Sequence, residues 1–200
     1  MSTMNDDANM TLELAEQLKL AARTLQKMDR CDLILKAIGT PLLEELKLEA
    51  AKNKLSRLYI THDYQFVLTD YNGRKVDLQP VHRAVYLLFL QHPEGIEFKR
   101  LSEYRDELKN YYKKTAPTME TEKMEEALDH LTNPLDNAIN EKCSRIKKTF
   151  SEIVDPYTLN YYIICGHARK HIPGNTGIWY QRRKVILLPR HLVVWADTAG

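Results

Sequence analysis

Between Ile139 and Ile153 five apolar residues, Ile139, Cys143, Ile146, Phe150 and Ile153, recur at spacings of four, three, four and three. That rhythm is the signature of an α-helix with one apolar stripe, which has to be buried against other elements. Once the stripe faces inwards, the opposite face is fixed. It carries Asn137, Asn140, Lys142, Ser144, Arg145, Lys147 and Lys148, with Glu141 as the one opposing charge. The chain must therefore find a core for one side of this helix while leaving a cationic, amide-bearing side in water.

The remaining segments supply that core in a definite order. Residues 1–10 are polar and acidic and are expected to form a disordered tail. From Thr11 a helical pattern begins, with Leu14, Leu18, Ala21, Leu25 and Met28 along one seam. Asp29 to Asp32 interrupts it, and a second helical stretch from Leu33 halts at Gly39 and restarts after Pro41 towards Leu55. Residues 11–56 thus read as a helical extension, whose seam suits either a homodimer contact or packing on its own chain.

The period then changes. Leu58 and Ile60 alternate with more polar neighbours, Phe66 to Leu68 is β-prone, and Asn72-Gly73 is a strong hairpin signal before a return strand at Lys75 to Asp77. Pro80 opens an apolar helix, Val81 to Leu90, which His92-Pro93-Glu94-Gly95 terminates. Ile96 and Phe98 give a brief extended step. Leu101, Tyr104, Leu108 and Tyr111 or Tyr112 then return to helical spacing, Lys113 to Thr121 reads as a loop, and Met124 to Leu131 as a short helix. After the stripe-bearing helix the chain reads as β: Tyr161 to Cys165, a turn-rich stretch, Val185 to Leu188 and Leu192 to Trp195, with 196–200 as a tail.

Small sheet, helix, turn, helix, amphipathic helix and hairpin, in that order, resemble the winged-helix DNA-binding output domain of bacterial response regulators. The residues that carry the resemblance are Leu78-Gln79-Pro80, the apolar helix Val81 to Leu90, His92-Pro93-Glu94-Gly95-Ile96 and Leu101. They correspond to that family's Leu-Thr-Pro opening, apolar helix, Pro-x-Gly turn and following Leu. The match spans about residues 58–188 and is densest between Phe66 and Leu101. It implies an α+β fold: a winged helix with an N-terminal small antiparallel sheet over 57–195, preceded by the α-helical extension. Gln79 replaces a better helix cap, residues 102–133 form an insertion, and no phosphoacceptor receiver domain precedes the sheet. Aspartyl phosphorylation within this chain is therefore not expected to be its switch.

The resemblance makes duplex DNA the expected partner, and the charge distribution agrees. The net charge of +2 conceals an asymmetry: Pro134 to Trp195 holds ten Lys/Arg against four Asp/Glu, whereas Met1 to Asn133 holds nineteen against twenty-two. A helix fits the major groove, where Arg and Asn make paired hydrogen bonds to guanine and adenine edges. Asn140, Ser144 and Arg145 are expected to read bases, Asn137 to flank them, and Lys147 and Lys148 to meet phosphates as point charges. Arg169, Lys170, Arg182, Arg183 and Lys184 flank the hairpin and are expected to contact the backbone as a wing. The chain then reads as a cytoplasmic, bacterial, sequence-specific transcriptional regulator. The alternative is a winged helix used as a protein-interaction or assembly module without DNA binding.

Other chemistries find less support. Cys165, His167 and His171 are zinc-ligand types, but a structural site wants four ligands and no second cluster is apparent. Tyr157, Tyr161, Tyr162 and Tyr180 are explained by packing more cheaply than by base stacking. There is no P-loop, no Gly-x-Gly-x-x-Gly, no His-Glu-x-x-His and no Gly-x-Ser-x-Gly, so neither an enzyme nor a cofactor is expected. The three scattered cysteines provide no disulfide framework, which suits a reducing compartment. No apolar run is long enough for a membrane span.

Overall fold

Two helices open the chain, α1 over Thr3–Lys27 and α2 over Cys31–Lys52. The computed structural model describes residues 3–52, 54–165 and 183–196. The chain divides into two compact units, Met1–Ala50 and Ala51–Gly200. In the first, the disordered tail expected over residues 1–10 is helical from Thr3, because neither proline nor glycine stands between Thr3 and Lys27 to stop the helix. Asp29, with φ +53, makes the reversal after α1. Gly39 breaks α2 with φ +68 and ψ +150, where the sequence places a stop. Leu14, Leu18 and Met28 are 57%, 65% and 65% exposed.

In the second unit, strands β1 (Leu58–Ile60), β2 (Phe66–Leu68) and β3 (Arg74–Val76) form an antiparallel meander. Asn72 and Gly73 both take positive φ, +57 and +66, between Tyr71 O and Arg74 N, which are hydrogen-bonded at 3.1 Å. That is the tight turn the dipeptide favours, set at the end of a five-residue loop. The boundary expected at residue 56 falls earlier, because Ser56 is already tied to this unit. Its N–H donates to Tyr162 Oη at 2.6 Å, and Tyr162 donates back to the Ser56 carbonyl at 2.9 Å.

Helix α3 (Pro80–Gln91) is the centre of the core: Ala84 through Leu90 are all buried. Beyond it come β4 (Ile96–Glu97), a 3-10 turn over Phe98–Tyr104, α4 (Arg105–Thr115), α5 (Thr121–Thr132) and α6 (Ala138–Ser151). The segment 102–133, expected as an insertion, is therefore mostly helix. It is clasped by Arg105, which donates to Glu125 at 2.7 Å and to Asp129 at 2.6 Å. Helices α4 and α6 both pack on α3, and α5 packs on α4 and α6. An aromatic ladder ties the layers together: Phe66 to Tyr86 at 5.1 Å, Tyr86 to Phe150 at 5.3 Å, and Phe150 to Tyr162 at 5.7 Å.

The C-terminal part corrects four expectations. Tyr161 and Tyr162 belong to a short helix, α7 (Leu159–Tyr162), not to a strand. The cause is Asp155, whose Oδ1 accepts from the N–H groups of Tyr157 at 2.9 Å and Thr158 at 3.2 Å and starts a helical turn. The paired strand near Val185 is β5 (Arg183–Lys184), antiparallel to β4, with a single bridge from Val185 to Cys165. The last strand, β6 (Val193–Trp195), lies parallel to β1 and completes the order β3-β2-β1-β6, so the sheet is mixed and not purely antiparallel. The tail expected from residue 196 begins later, since Ala196 is buried and its N–H donates to the Ile60 carbonyl at 2.7 Å.

Gly95 is where this part of the fold is tightest. Its φ is +78, and a Cβ there would stand 2.8 Å from the Lys184 carbonyl oxygen and 3.2 Å from Arg183 Cβ. Both neighbours are held by the β4–β5 pairing and have little room to retreat. Gly95→Ala is accordingly expected to destabilise the second unit by about 2–4 kcal/mol. Urea unfolding measures this, and an unchanged midpoint would contradict the close approach.

Candidate nucleic-acid interface

Helix α6 begins where the Asp136 Oδ1 accepts the Ala138 N–H at 3.0 Å. The other oxygen of Asp136 pairs with His130 Nδ1 at 2.6 Å, which raises the His130 pKa and lowers that of Asp136. Along the helix Ile139, Ile146 and Phe150 are buried, Cys143 is half-buried, and Ile153, just past the helix end, is half-buried as well. Burial pushes the Cys143 thiol up to about 12, which makes it a packing group and not a nucleophile. The stripe thus turns inwards.

The opposite face is open. Asn137, Asn140, Glu141, Ser144, Arg145, Lys147 and Lys148 are all exposed, while Lys142 is half-buried. Asn140 Nδ2 donates to Asn137 Oδ1 at 3.0 Å, so the two amides are already aligned. Asn137, Asn140, Glu141, Ser144 and Arg145 together rim a shallow hollow of about 350 Å³. Among the described residues Arg145, Lys147 and Lys148 make no ion pair, and neither Glu141 nor Glu152 neutralises them. The insertion does not hide this face. Leu131 and Ala127 of α5 border α6 on the side of Ala138, Glu141 and Lys142, across a cleft of about 470 Å³.

The hairpin residues fare differently. Arg169, Lys170 and Arg182 lie outside the described residues, as do His167, His171 and Tyr180. Arg183 and Lys184 are half-buried on β5. Arg183 Nε lies 3.9 Å from Glu97, directly across the strand pair, and the Lys184 ammonium sits 5.9 Å over the Phe98 ring. Both are engaged by β4 and the turn after it, so of the basic residues expected to meet DNA, Arg145, Lys147 and Lys148 on α6 are, among the described residues, the ones without an ion pair or ring contact. Lys184 nevertheless acts electrostatically on Cys143, and Lys147 on Cys165, which places β5 and the Cys165 bridge beside α6.

Sequence reasoning missed two neighbours of this face, Gln79 and His82 at the start of α3. They share a hollow with Glu141, Lys142 and Arg145. The only local signal was Gln79, which stands where a capping side chain is expected and makes no cap hydrogen bond.

Among the described residues no group of His, Cys, Asp and Glu is arranged to hold a metal ion, and no helix is long and apolar enough to cross a membrane. Compared with known proteins, the chain matches no family model, no curated protein and no solved structure.

Proposed function

We propose that this chain is a cytoplasmic, bacterial DNA-binding regulator of winged-helix type that lays α6 in the major groove. The observation that carries the reading is the exposed face of α6: two amides, a hydroxyl, one guanidinium and two ammonium groups against the single carboxylate of Glu141. The chain order supports it. A strand, β4, follows α3 and pairs with β5 after α6, and Cys165 and Val185 form a bridge beside that pair, an order that a winged helix also has. Asn140, Ser144 and Arg145 read base edges, and Lys147 and Lys148 hold phosphates.

Titration with a random-sequence duplex tests the reading. Binding at low salt is expected to weaken roughly a thousandfold or more between about 50 and 200 mM salt, as neutralisation of six or more phosphates requires. No binding at the lower salt, or an affinity indifferent to salt, would favour the assembly-module alternative.

The same reading gives α1 a role. A single winged helix covers little DNA, and two copies read two half-sites. The exposed seam of Leu14, Leu18 and Met28 is suited to pairing with a second copy. Sedimentation should show a dimer that Leu18→Asp converts to monomer, and a wild-type monomer at high micromolar concentration would remove this part.

A further inference from the structure

The N-terminus of α3 and the first turns of α6 enclose a hollow of about 290 Å³ lined by Gln79, His82, Glu141, Lys142 and Arg145. One water claims about 30 Å³ of liquid, so the space admits a tetrahedral oxyanion and a few waters. Three features of its walls concern charge. First, α3 enters with Pro80, without a side-chain cap and without an acid in its first turn, so the positive end of twelve aligned peptide residues is left uncompensated. Second, His82 lies in that first turn, is only 8% exposed, and its Nε2 has no hydrogen-bond partner. A buried nitrogen of this kind calls for a partner that the protein itself does not provide.

Third, Lys142 and Arg145 stand on the same side of α6, three residues apart, and both act on the His82 ring. Burial holds the imidazole below its ordinary pKa, and the two cations lower it further. Glu141 is the one carboxylate in the lining. It pairs with neither cation among the described residues, leaving two positive side chains and a helix N-terminus against a single acid.

We propose that this hollow is a phosphate pocket that receives one backbone phosphate of a nucleic-acid duplex. The phosphate oxygens accept from the backbone N–H groups of Val81 and His82, the donors that Pro80 and the Arg83–Gln79 hydrogen bond leave free in the first turn of α3, and from the side chains of His82 and Lys142. Arg145, at the rim shared with Asn140 and Ser144, stays free for the base edges. The duplex as the source rests on the function proposed above, whereas the affinity for a phosphate oxyanion does not. The consequence for recognition is positional. A phosphate fixed at the foot of α6 sets the register at which Asn140, Ser144 and Arg145 meet the bases.

Two measurements test it together. In the first, the imidazole resonances of the full chain are followed by NMR during titration with inorganic phosphate, with chloride at equal ionic strength as control. The His82 ring is expected to shift saturably with phosphate and not with chloride. In the second, duplex affinity is compared for wild type, His82→Gln and Lys142→Gln, with thermal melts of each. Lys142 is half-buried at the surface of α6, so its variant remains informative if the His82 variant fails to fold.

Each substitution is expected to weaken duplex binding roughly tenfold, equally on every sequence, and Lys142→Gln to lower the salt slope by about one. A His82 ring indifferent to phosphate overturns the pocket. A ring that responds while both folded variants hold duplex as tightly as wild type overturns the duplex assignment and leaves a site for free phosphate. A ring that responds in a protein that binds no duplex at all supports the oxyanion site and defeats the DNA-binding reading instead.

Discussion

Replacing Lys147 and Lys148 together with glutamate is expected to abolish duplex binding while leaving the fold intact. Both side chains are exposed on α6, and among the described residues neither makes an ion pair whose loss would unsettle the structure. Each charged contact to a phosphate contributes on the order of 1.5–3 kcal/mol, so losing two weakens binding by roughly a hundredfold to ten-thousandfold before repulsion is added. Stability changes far less. Surface substitutions usually stay within about 0.5 kcal/mol, and Lys148 adds a modest penalty because it lies in the last turn of α6, where a cation complements the helix dipole. The melting temperature should therefore fall by roughly 2–4 °C. Fluorescence anisotropy with a labelled duplex and a circular-dichroism melt measure the two effects separately. A double variant that keeps wild-type affinity would remove α6 as the DNA-binding element.

Phe150→Ala has the opposite character, since it attacks the inner side of the same helix. Phe150 is fully buried, stacked on Tyr162 at 5.7 Å and tilted against Tyr86 at 5.3 Å. Removing the ring deletes both aromatic contacts and leaves a void beside the Tyr86 ring, whose hydroxyl is buried without a hydrogen-bond partner among the described residues. The expected loss is about 3–5 kcal/mol, a large share of the roughly 5–15 kcal/mol that stabilises a domain. Urea unfolding followed by tryptophan and tyrosine fluorescence reads it. Phe150→Leu should cost distinctly less, because it refills much of the volume. If the alanine variant lost under about 1 kcal/mol, the ladder from Phe66 to Tyr162 would not be the seam that holds α6 in place.

The two substitutions lie on one helix because its two faces were legible in the sequence. Period alone assigns Ile146 and Phe150 to one side and Asn140, Arg145 and Lys148 to the other, since helical geometry is local. Punctuation was local too: Asn72-Gly73, Pro80 and Gly95 each act through their own backbone torsions, and each turn or start lies where those residues stand. What escaped depended on distant partners. Asp155 converts an apparent strand at Tyr161 into a helical turn through its side chain, an effect that a β-prone composition conceals. Arg183 and Lys184 read as free wing charges until β4 and the turn after it supply Glu97 and Phe98 to hold them. His82 is, with Arg83, one of two polar residues at the head of an apolar run, and nothing near it in sequence tells that Lys142 and Arg145 will lie against it.

The parallel pairing of β1 with β6 has a bearing on how the protein is made. Leu58 to Ile60 leave the ribosome well before their partners Val193 to Trp195, which follow about 130 residues later in the chain. At ordinary translation speeds the nascent meander waits on the order of 10 s with one row of backbone donors and acceptors unfilled. Such a delay exposes the newborn chain to edge-on association with its neighbours, and it makes β6 the latch on which completion of the sheet depends.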